Sequence, residues 1–146
     1  MTRIDIRLDL AHSIDHVWGH LTDWESHSAW IPNTVVTVTT PTVGVGTEFV
    51  GVSRIGRLRL DDTMSVTEFE PPAGGTASCV VTKTGQVLGG TAGFTLTTLN
   101  DSSTRLDWFE DVYLKPSWLF WWTAPFVLVV GTIAFRSALK AFTRTL

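Results

Sequence analysis

Two carboxylates fall on strand faces that are otherwise apolar, and these residues could carry acid or base chemistry. Glu110 lies in the segment 104–114 and Asp62 lies in the segment 57–69, and both segments alternate as strands do. The residues that share their faces are Leu106, Trp108 and Val112 around Glu110, and Leu58, Leu60, Met64 and Val66 around Asp62. On a cavity wall, desolvation would raise the pKa of Glu110, and the two carboxylates could divide general-acid and general-base work. The alternative is that Glu110 lies near the rim of the sheet, either paired with a cation or solvated.

Other residues of chemical interest show less specific patterns. His27 stands near two tryptophans, so it is expected either to gate a cavity mouth or contact a ligand there, or to be a capping or surface histidine. His12, His16 and His20 recur every four residues, but they lie away from the apolar stripe of their helix and lack a well-placed further ligand. Cys79 has no activating base or cation nearby in the sequence, so we expect an unreactive thiol. We therefore predict neither a metal site nor a cofactor.

The elements that must position these residues are a strand, two short helices, six further strands and a long helix. Residues 3–10 alternate strictly between apolar and charged types, as a half-buried strand does. Ser13 is expected to cap one short helix and Asp23 a second one, which ends before Pro32. Segments rich in Val and Thr then follow one another, which favours an antiparallel meander. They are 34–40, 47–54, 57–69, 76–84, 91–99 and 104–114, with turns expected between them, including 71–75 and 85–90.

Between Lys115 and Arg136 the chain runs for 20 residues without a charge. That length suits a transmembrane helix, and it also suits the buried wall of a soluble fold that uses one long helix. One helical face carries Arg136, Lys140 and Arg144, and the opposite face carries Val127, Gly131, Ala134, Ala138 and Phe142. Small residues at the centre of that face would let the helix approach a sheet closely or leave room for a guest. Because no other segment could cover the sheet, we favour a covering helix that starts at Pro125.

Composition indicates a single domain, residues 1–146, in a reducing compartment. Cys79 is the only cysteine and residues 1–7 contain no apolar signal core, so we expect a cytoplasmic location. The net charge of −3 is unevenly placed, because residues 115–146 hold four cations and no acid. Such asymmetry can mark a membrane-facing or partner-facing end, whereas four cations over 32 residues are too sparse for binding nucleic acid.

Four motifs span most of the chain: His16-Val-Trp-Gly-His-Leu-Thr-Asp-Trp24 with Trp30-Ile-Pro32, Val45-Gly-Thr-Glu-Phe49, Val66-Thr-Glu-Phe-Glu-Pro-Pro72, and Ser103-Thr-Arg-Leu-Asp-Trp108. Together they resemble the polyketide cyclase/dehydrase-like branch of the START/Bet v 1-like (SRPBCC) superfamily. The resemblance implies an α+β helix-grip fold. In that fold a curved, seven-stranded antiparallel sheet, with two short helices after strand 1, wraps around a long C-terminal helix and encloses a mostly apolar cavity. These motifs cap helices, turn strands and fill the core, so they do not name a reaction.

On this fold we predict that the protein binds a hydrophobic small molecule or lipid between the sheet and the last helix, without catalysis. The residues predicted to contact the ligand are Trp24, His27, Trp30, Leu60, Met64, Phe94, Leu106, Trp108, Trp118, Trp122, Val127, Gly131 and Ala134. One alternative is a cyclase, dehydratase or hydrolase that acts on a polyketide-like or aromatic substrate through Glu110 and Asp62.

The other alternative is docking through the Trp-rich stretch 117–124. This stretch has more large aromatic residues than one core stripe normally uses. We expect it to form the ligand entrance, a peripheral membrane contact or a homodimer interface. The protein would then be cytoplasmic, either free or associated with a membrane.

Overall fold

Seven antiparallel strands form a single sheet in the computed structural model, which describes residues 2–146. The strands are β1 (Thr2–Leu10), β2 (Thr34–Val38), β3 (Glu48–Ile55), β4 (Leu58–Ala73), β5 (Thr76–Lys83), β6 (Leu88–Asn100) and β7 (Ser103–Leu114). Their order across the sheet is β1-β7-β6-β5-β4-β3-β2, so β2 to β7 form a meander and β1 pairs with the last strand. The α+β class and the seven-stranded antiparallel sheet confirm the prediction from sequence.

Alternation along the strands gives the sheet one buried face. The buried residues of β7 are Thr104, Leu106, Trp108, Glu110 and Val112, and those of β5 are Ala77, Cys79, Val81 and Lys83. β1 pairs with β7 so that Ile6 lies opposite Trp108 and Ile4 lies opposite Glu110. Because successive side chains of a strand point to opposite faces, this register places both isoleucines of β1 on the buried side.

Five helical segments accompany the sheet. They are α1 (Ile14–Leu21), a 3-10 helix (Trp24–Ala29), α2 (Ser117–Phe120), a 3-10 turn (Trp121–Thr123) and α3 (Ala124–Thr143). Ser13 caps α1 as predicted, since its hydroxyl accepts a hydrogen bond from the backbone amide of His16 at 3.3 Å. Trp24 anchors the first 3-10 helix by stacking on Phe49 of β3, with ring centroids 4.6 Å apart.

Two segments predicted to be turns, 71–75 and 85–90, belong partly to strands: the chain turns at 74–75 and bends at 85–87, and the remaining residues extend β4 and β6. β4 continues through Pro71 and Pro72, where a shift of register lets the strand tolerate residues that cannot donate to the ladder. β6 includes Gly89 and Gly90, which the sequence pattern had assigned to a turn. Gly90 has a φ of +111°, and a Cβ atom at this position would collide with the carbonyl oxygen of Asp111. Glycine is therefore required here by the close approach of β7.

Helix α3 buries one face of its second half and leaves much of its first half exposed. Ala138, Leu139 and Phe142 are buried in the core. At the middle of the helix, a Cβ atom on Gly131 would lie 2.7 Å from Cδ1 of Ile4. The missing side chain lets the helix backbone pack directly on β1.

The predicted cavity-facing stripe of α3 is therefore wrong at three positions. Gly131 contacts β1, Ala134 is exposed, and Val127 lines a separate surface pocket beside the end of β7. The physical reason is that glycine at 131 is used for close helix packing, so this face meets protein instead of a guest. The helix reaches the cavity through Phe135, whose ring centroid lies 6.4 Å from that of Trp108.

Candidate functional site

A cavity of about 280 Å³ lies between the sheet and the helices. Strands β2 to β7, the first 3-10 helix and α3 all contribute side chains to its wall. The wall is mostly apolar, and its largest side chains are Trp24, Phe49, Phe94, Trp108 and Phe135. A concave apolar surface with a few polar groups is typical of a small-molecule site.

Three charged side chains converge on this wall: Asp62 of β4, Lys83 of β5 and Glu110 of β7, hereafter the buried trio. Lys83 Nζ donates to Asp62 Oδ2 at 2.6 Å, and it lies 3.9 Å from Glu110 Oε2, within ion-pair distance but beyond hydrogen-bond range. Lys83 is 7% exposed and Glu110 is 3% exposed. The intervening strand β6 places only Gly90 and Ala92 opposite these two residues, so no large side chain separates them.

The environment of the trio shifts its proton affinities. Burial raises the pKa of Glu110 from its ordinary 4.5 to about 7; the charge of Lys83 opposes this rise and that of Asp62 adds to it. Burial lowers the pKa of Lys83, but the attraction of Glu110 and Asp62 and the hydrogen bond to Asp62 outweigh it, so the pKa lies above its usual value. Lys83 is therefore a cation at neutral pH, while Glu110 can accept or donate a proton there.

His27 and Cys79 are uncharged parts of the same wall. His27 Nε2 donates to the backbone carbonyl of Leu21 at 2.7 Å, which defines its tautomer because a carbonyl can only accept. Burial lowers the pKa of His27 to about 4 and raises the pKa of the Cys79 thiol to about 12. His27 is thus a buried, neutral residue that a ligand could contact. The predicted surface position is wrong for it, whereas its hydrogen bond to Leu21, the last residue of α1, is a capping contact. Cys79 has the unreactive character that the sequence predicted.

The structure brings together part of the predicted ligand site. Trp24, His27, Leu60, Met64, Phe94 and Trp108 line the cavity, as do both predicted carboxylates, Glu110 and Asp62. Trp30 and Leu106 are buried in the core, and neither lines this cavity within the described part of the chain. Trp118 and Trp122 are exposed on the outside of the molecule, because the start of the uncharged run folds into helices beyond the end of β7. The prediction that these four residues contact a ligand in the cavity is therefore wrong.

Lys83 is the charged site residue that sequence reasoning missed, and Phe49 and Phe135 are large aromatic ones. Alternation from Ala77 through Cys79 and Val81 places Lys83 on the same buried face, and this signal could have found it. A lysine at the end of a strand normally extends to water through its long side chain. Here two carboxylates from other strands make burial tolerable, and their positions depend on the tertiary structure.

A broad apolar patch covers the outer surface of α2, the following 3-10 turn and the first half of α3. Its members, hereafter the apolar patch, are Trp118, Leu119, Trp121, Trp122, Phe126, Val129, Val130 and Ile133. Trp118 is 75% exposed and Trp121 is 74% exposed. Within the described residues, Ser117–Thr143 is the helical segment long and apolar enough to cross a membrane, with a mean hydropathy of 1.7 and no buried residue in its most apolar 18-residue window.

No protein-family model and no curated protein matches this chain. Solved structures do match it along nearly its whole length. The Zhui aromatase/cyclase from Streptomyces sp. R1128 aligns with a TM-score of 0.66 and 16% identity, over 99% of this chain and 95% of that one. A START superfamily protein from Mycobacterium smegmatis aligns with a TM-score of 0.73 and 15% identity, over 99% of this chain and 97% of that one. A STAR-related lipid transfer protein from Xanthomonas axonopodis aligns with a TM-score of 0.67 and 19% identity, over 98% of this chain and 84% of that one.

This chain has the START-like helix-grip fold. The prediction of that fold from the sequence motifs is thereby confirmed. Because the identities are this low, the similarity defines the START-like architecture alone, and the chemistry must be argued from the cavity and its buried trio.

Proposed function

We propose that this protein binds one hydrophobic small molecule or lipid in the cavity between the sheet and α3. The observation that carries the proposal is the cavity wall, in which aromatic and aliphatic side chains from six strands surround about 280 Å³. The names of similar structures, which include a lipid transfer protein and an aromatase/cyclase, support an apolar guest. Because the wall is mostly apolar and carries few polar groups, we favour binding over catalysis.

The volume of the cavity limits the size of the guest. A dry cavity of about 150 Å³ lined by Leu, Ile and Phe accepts benzene. A cavity of about 280 Å³ therefore suits a guest of two fused aromatic rings, or an aliphatic chain of similar bulk. A lipid with two long acyl chains is too large for this volume, so we propose a ring-containing or single-chain guest.

The test of this proposal is a cavity-filling substitution with a matched control. A Cβ on Gly51 would make only ordinary contacts with wall side chains, so Gly51→Leu should fold and fill part of the cavity. Gly19→Leu adds the same side chain at an exposed helix position with no atom within 4 Å. Equilibrium dialysis should show that the wild type and Gly19→Leu take up naphthalene, whereas Gly51→Leu binds it at least about tenfold more weakly.

Mass spectrometry of small molecules extracted from the purified native protein would name the chemical class of the guest. Protein that carries no small molecule and takes up no naphthalene would overturn the proposal.

A second candidate is an acid–base enzyme of the cyclase or dehydratase type. It is favoured by the inward placement of Glu110 and Asp62 on the cavity wall and by the pKa of about 7 for Glu110. A compound in a cell extract that the wild type consumes, and that Glu110→Gln leaves unchanged, would support this enzyme. Equal consumption by both proteins would exclude Glu110 as its acid or base.

We also propose that the apolar patch docks on the surface of an anionic membrane. Tryptophans concentrate at membrane interfaces, and soluble monomers rarely expose so large an apolar surface. Residues 115–146 add four cations and no acid, whereas the preceding residues hold all 14 acids. Anionic lipids complement this charge, while a symmetric dimer would bring two cationic ends together without any acid to pair them. The proposal locates the protein in the cytoplasm, at the inner leaflet.

Vesicle sedimentation tests the membrane proposal. The protein should sediment with phosphatidylglycerol vesicles and much less with phosphatidylcholine vesicles. Replacing both Trp118 and Trp121 by Ser should weaken binding at least about tenfold, because each indole contributes on the order of 2 kcal/mol on leaving water. Leu58→Ser changes an equally exposed apolar residue outside the patch and should have no effect. A dimer in ultracentrifugation that dissociates when the tryptophans are replaced, with no vesicle binding, would contradict the proposal.

A further inference from the structure

The buried trio leaves two carboxylate oxygens without hydrogen-bond partners. Asp62 Oδ1 and Glu110 Oε2 are both buried, and neither has a hydrogen-bond partner within the described residues, although Oε2 lies 3.9 Å from the Lys83 cation and the Trp108 indole also acts on the Glu110 carboxyl. A buried acceptor that loses water without gaining a donor is costly. The side chains that carry these oxygens line the cavity, so a guest in the cavity can supply the missing donor.

The charge of the trio defines which polar group it accepts. Lys83 is already bonded to Asp62 at 2.6 Å, so its cation is largely neutralised before a guest arrives. One cation faces two carboxyl groups, and the trio is therefore neutral when Glu110 is protonated and negative when it is ionised. When Glu110 is ionised the trio repels an anionic guest, and in both states the unpaired oxygen of Asp62 can accept from a hydrogen-bond donor.

We propose that the buried trio recognises a hydroxyl group, and that the guest is a neutral molecule of about two rings whose hydroxyl donates to Glu110 or Asp62. This inference rests on the proposed ligand-binding function and names the class of ligand. The other polar side chains of the wall, His27, Thr34 and Ser53, already hold hydrogen bonds within the protein, so the trio is the place that lacks a donor. The guest is thus oriented with its polar end at the trio and its apolar body against the aromatic wall. Fatty acids and other carboxylates are repelled by the same charge when Glu110 is ionised.

A set of size-matched probes tests the inference by equilibrium dialysis at pH 7. The probes are 2-naphthol, which is neutral and donates; 2-methoxynaphthalene, which cannot donate; and 2-naphthoate, which is an anion. A hydrogen bond to a charged group favours 2-naphthol over 2-methoxynaphthalene by roughly 10- to 100-fold in Kd. We expect 2-naphthoate to bind most weakly of the three.

The matched variant replaces the whole trio: Asp62→Leu, Lys83→Met and Glu110→Leu together, hereafter the triple apolar variant. Such replacement of a buried ion cluster is often neutral or stabilising, so the fold should persist. This variant should bind 2-methoxynaphthalene at least as well as the wild type and lose the preference for 2-naphthol. If it does not fold, Glu110→Leu alone leaves the Asp62–Lys83 ion pair intact and should reduce the same preference.

The outcomes separate this inference from the function on which it rests. Equal binding of 2-naphthol and 2-methoxynaphthalene by the wild type, or a preference that survives in the triple apolar variant, would overturn the hydroxyl site and leave apolar binding standing. Tighter binding of 2-naphthoate than of 2-naphthol would overturn the assigned ligand class. No binding of any probe would refute the proposed function as well.

Discussion

Replacing Glu110 by glutamine should change how the stability of the protein depends on pH. Burial raises the pKa of this carboxyl from 4.5 to about 7 in the folded protein. The folded state therefore holds the proton more tightly than the unfolded chain does. The stability that comes from the protonated carboxyl is complete below pH 4.5 and is lost as the pH rises through 7. Glutamine has nearly the same shape as the protonated acid and does not titrate.

The size of the effect follows from the two proton affinities. Each tenfold change in affinity is worth about 1.4 kcal/mol. Between pH 4.5 and 8, the free energy of unfolding of the wild type should therefore fall by about 3 kcal/mol relative to that of Glu110→Gln. The charged groups that face Glu110 are Lys83 and Asp62, and the imidazole of His27 also titrates on the described cavity wall. The variant should be the more stable protein at pH 8.

Urea unfolding followed by tryptophan fluorescence at several pH values measures this difference. His27 has a pKa of about 4 in the folded state, so it also titrates in the window. Its contribution is common to both proteins and cancels in the comparison. Glu68→Gln, at an exposed position of β4, is the control and should run parallel to the wild type. Parallel curves for Glu110→Gln and wild type would refute the burial of an ionisable Glu110 in the trio.

Three further changes test other parts of the structure. Lys83→Met leaves two buried carboxyls without their cation and should lower the free energy of unfolding by about 3–5 kcal/mol at pH 8. The triple apolar variant should lose little or no stability. Equal losses of unfolding free energy by the two variants in urea would contradict this. Gly93→Ala places a Cβ against the carbonyl oxygen of Cys79 and 2.9 Å from the Phe109 ring, so thermal unfolding should show a loss of at least about 2 kcal/mol, and an unchanged Tm would be the opposing result. The Cys79 thiol, with its raised pKa and buried position, should react with a thiol reagent only as fast as the protein unfolds, and rapid labelling of the native protein would show the thiol to be accessible.

The sequence by itself determined the elements and the faces of their residues. Alternation placed Glu110 beside Leu106 and Trp108 on one face of β7, and that face is buried. The cap at Ser13, the order of the strands and the helix that begins beside Pro125 were also predictable, because each depends on local periodicity or local hydrogen bonding. The prediction of turns from glycine and proline failed at Gly90 and at Pro71-Pro72, which belong to strands. Close approach of β7 explains Gly90, and a shift of register accommodates the two prolines.

The tertiary structure alone decided which of these residues meet. Asp62 and Glu110 stand 48 positions apart in the sequence, and they come together because Lys83 lies between them across the small residues of β6. Similarly, nothing local indicates that Gly131 packs on Ile4 or that the tryptophans of the uncharged run face outward. Periodicity defines the direction of a side chain within its own element, whereas the distance between two elements depends on strand register and helix packing over the whole chain. The candidate site of this protein depends on the distances between its elements.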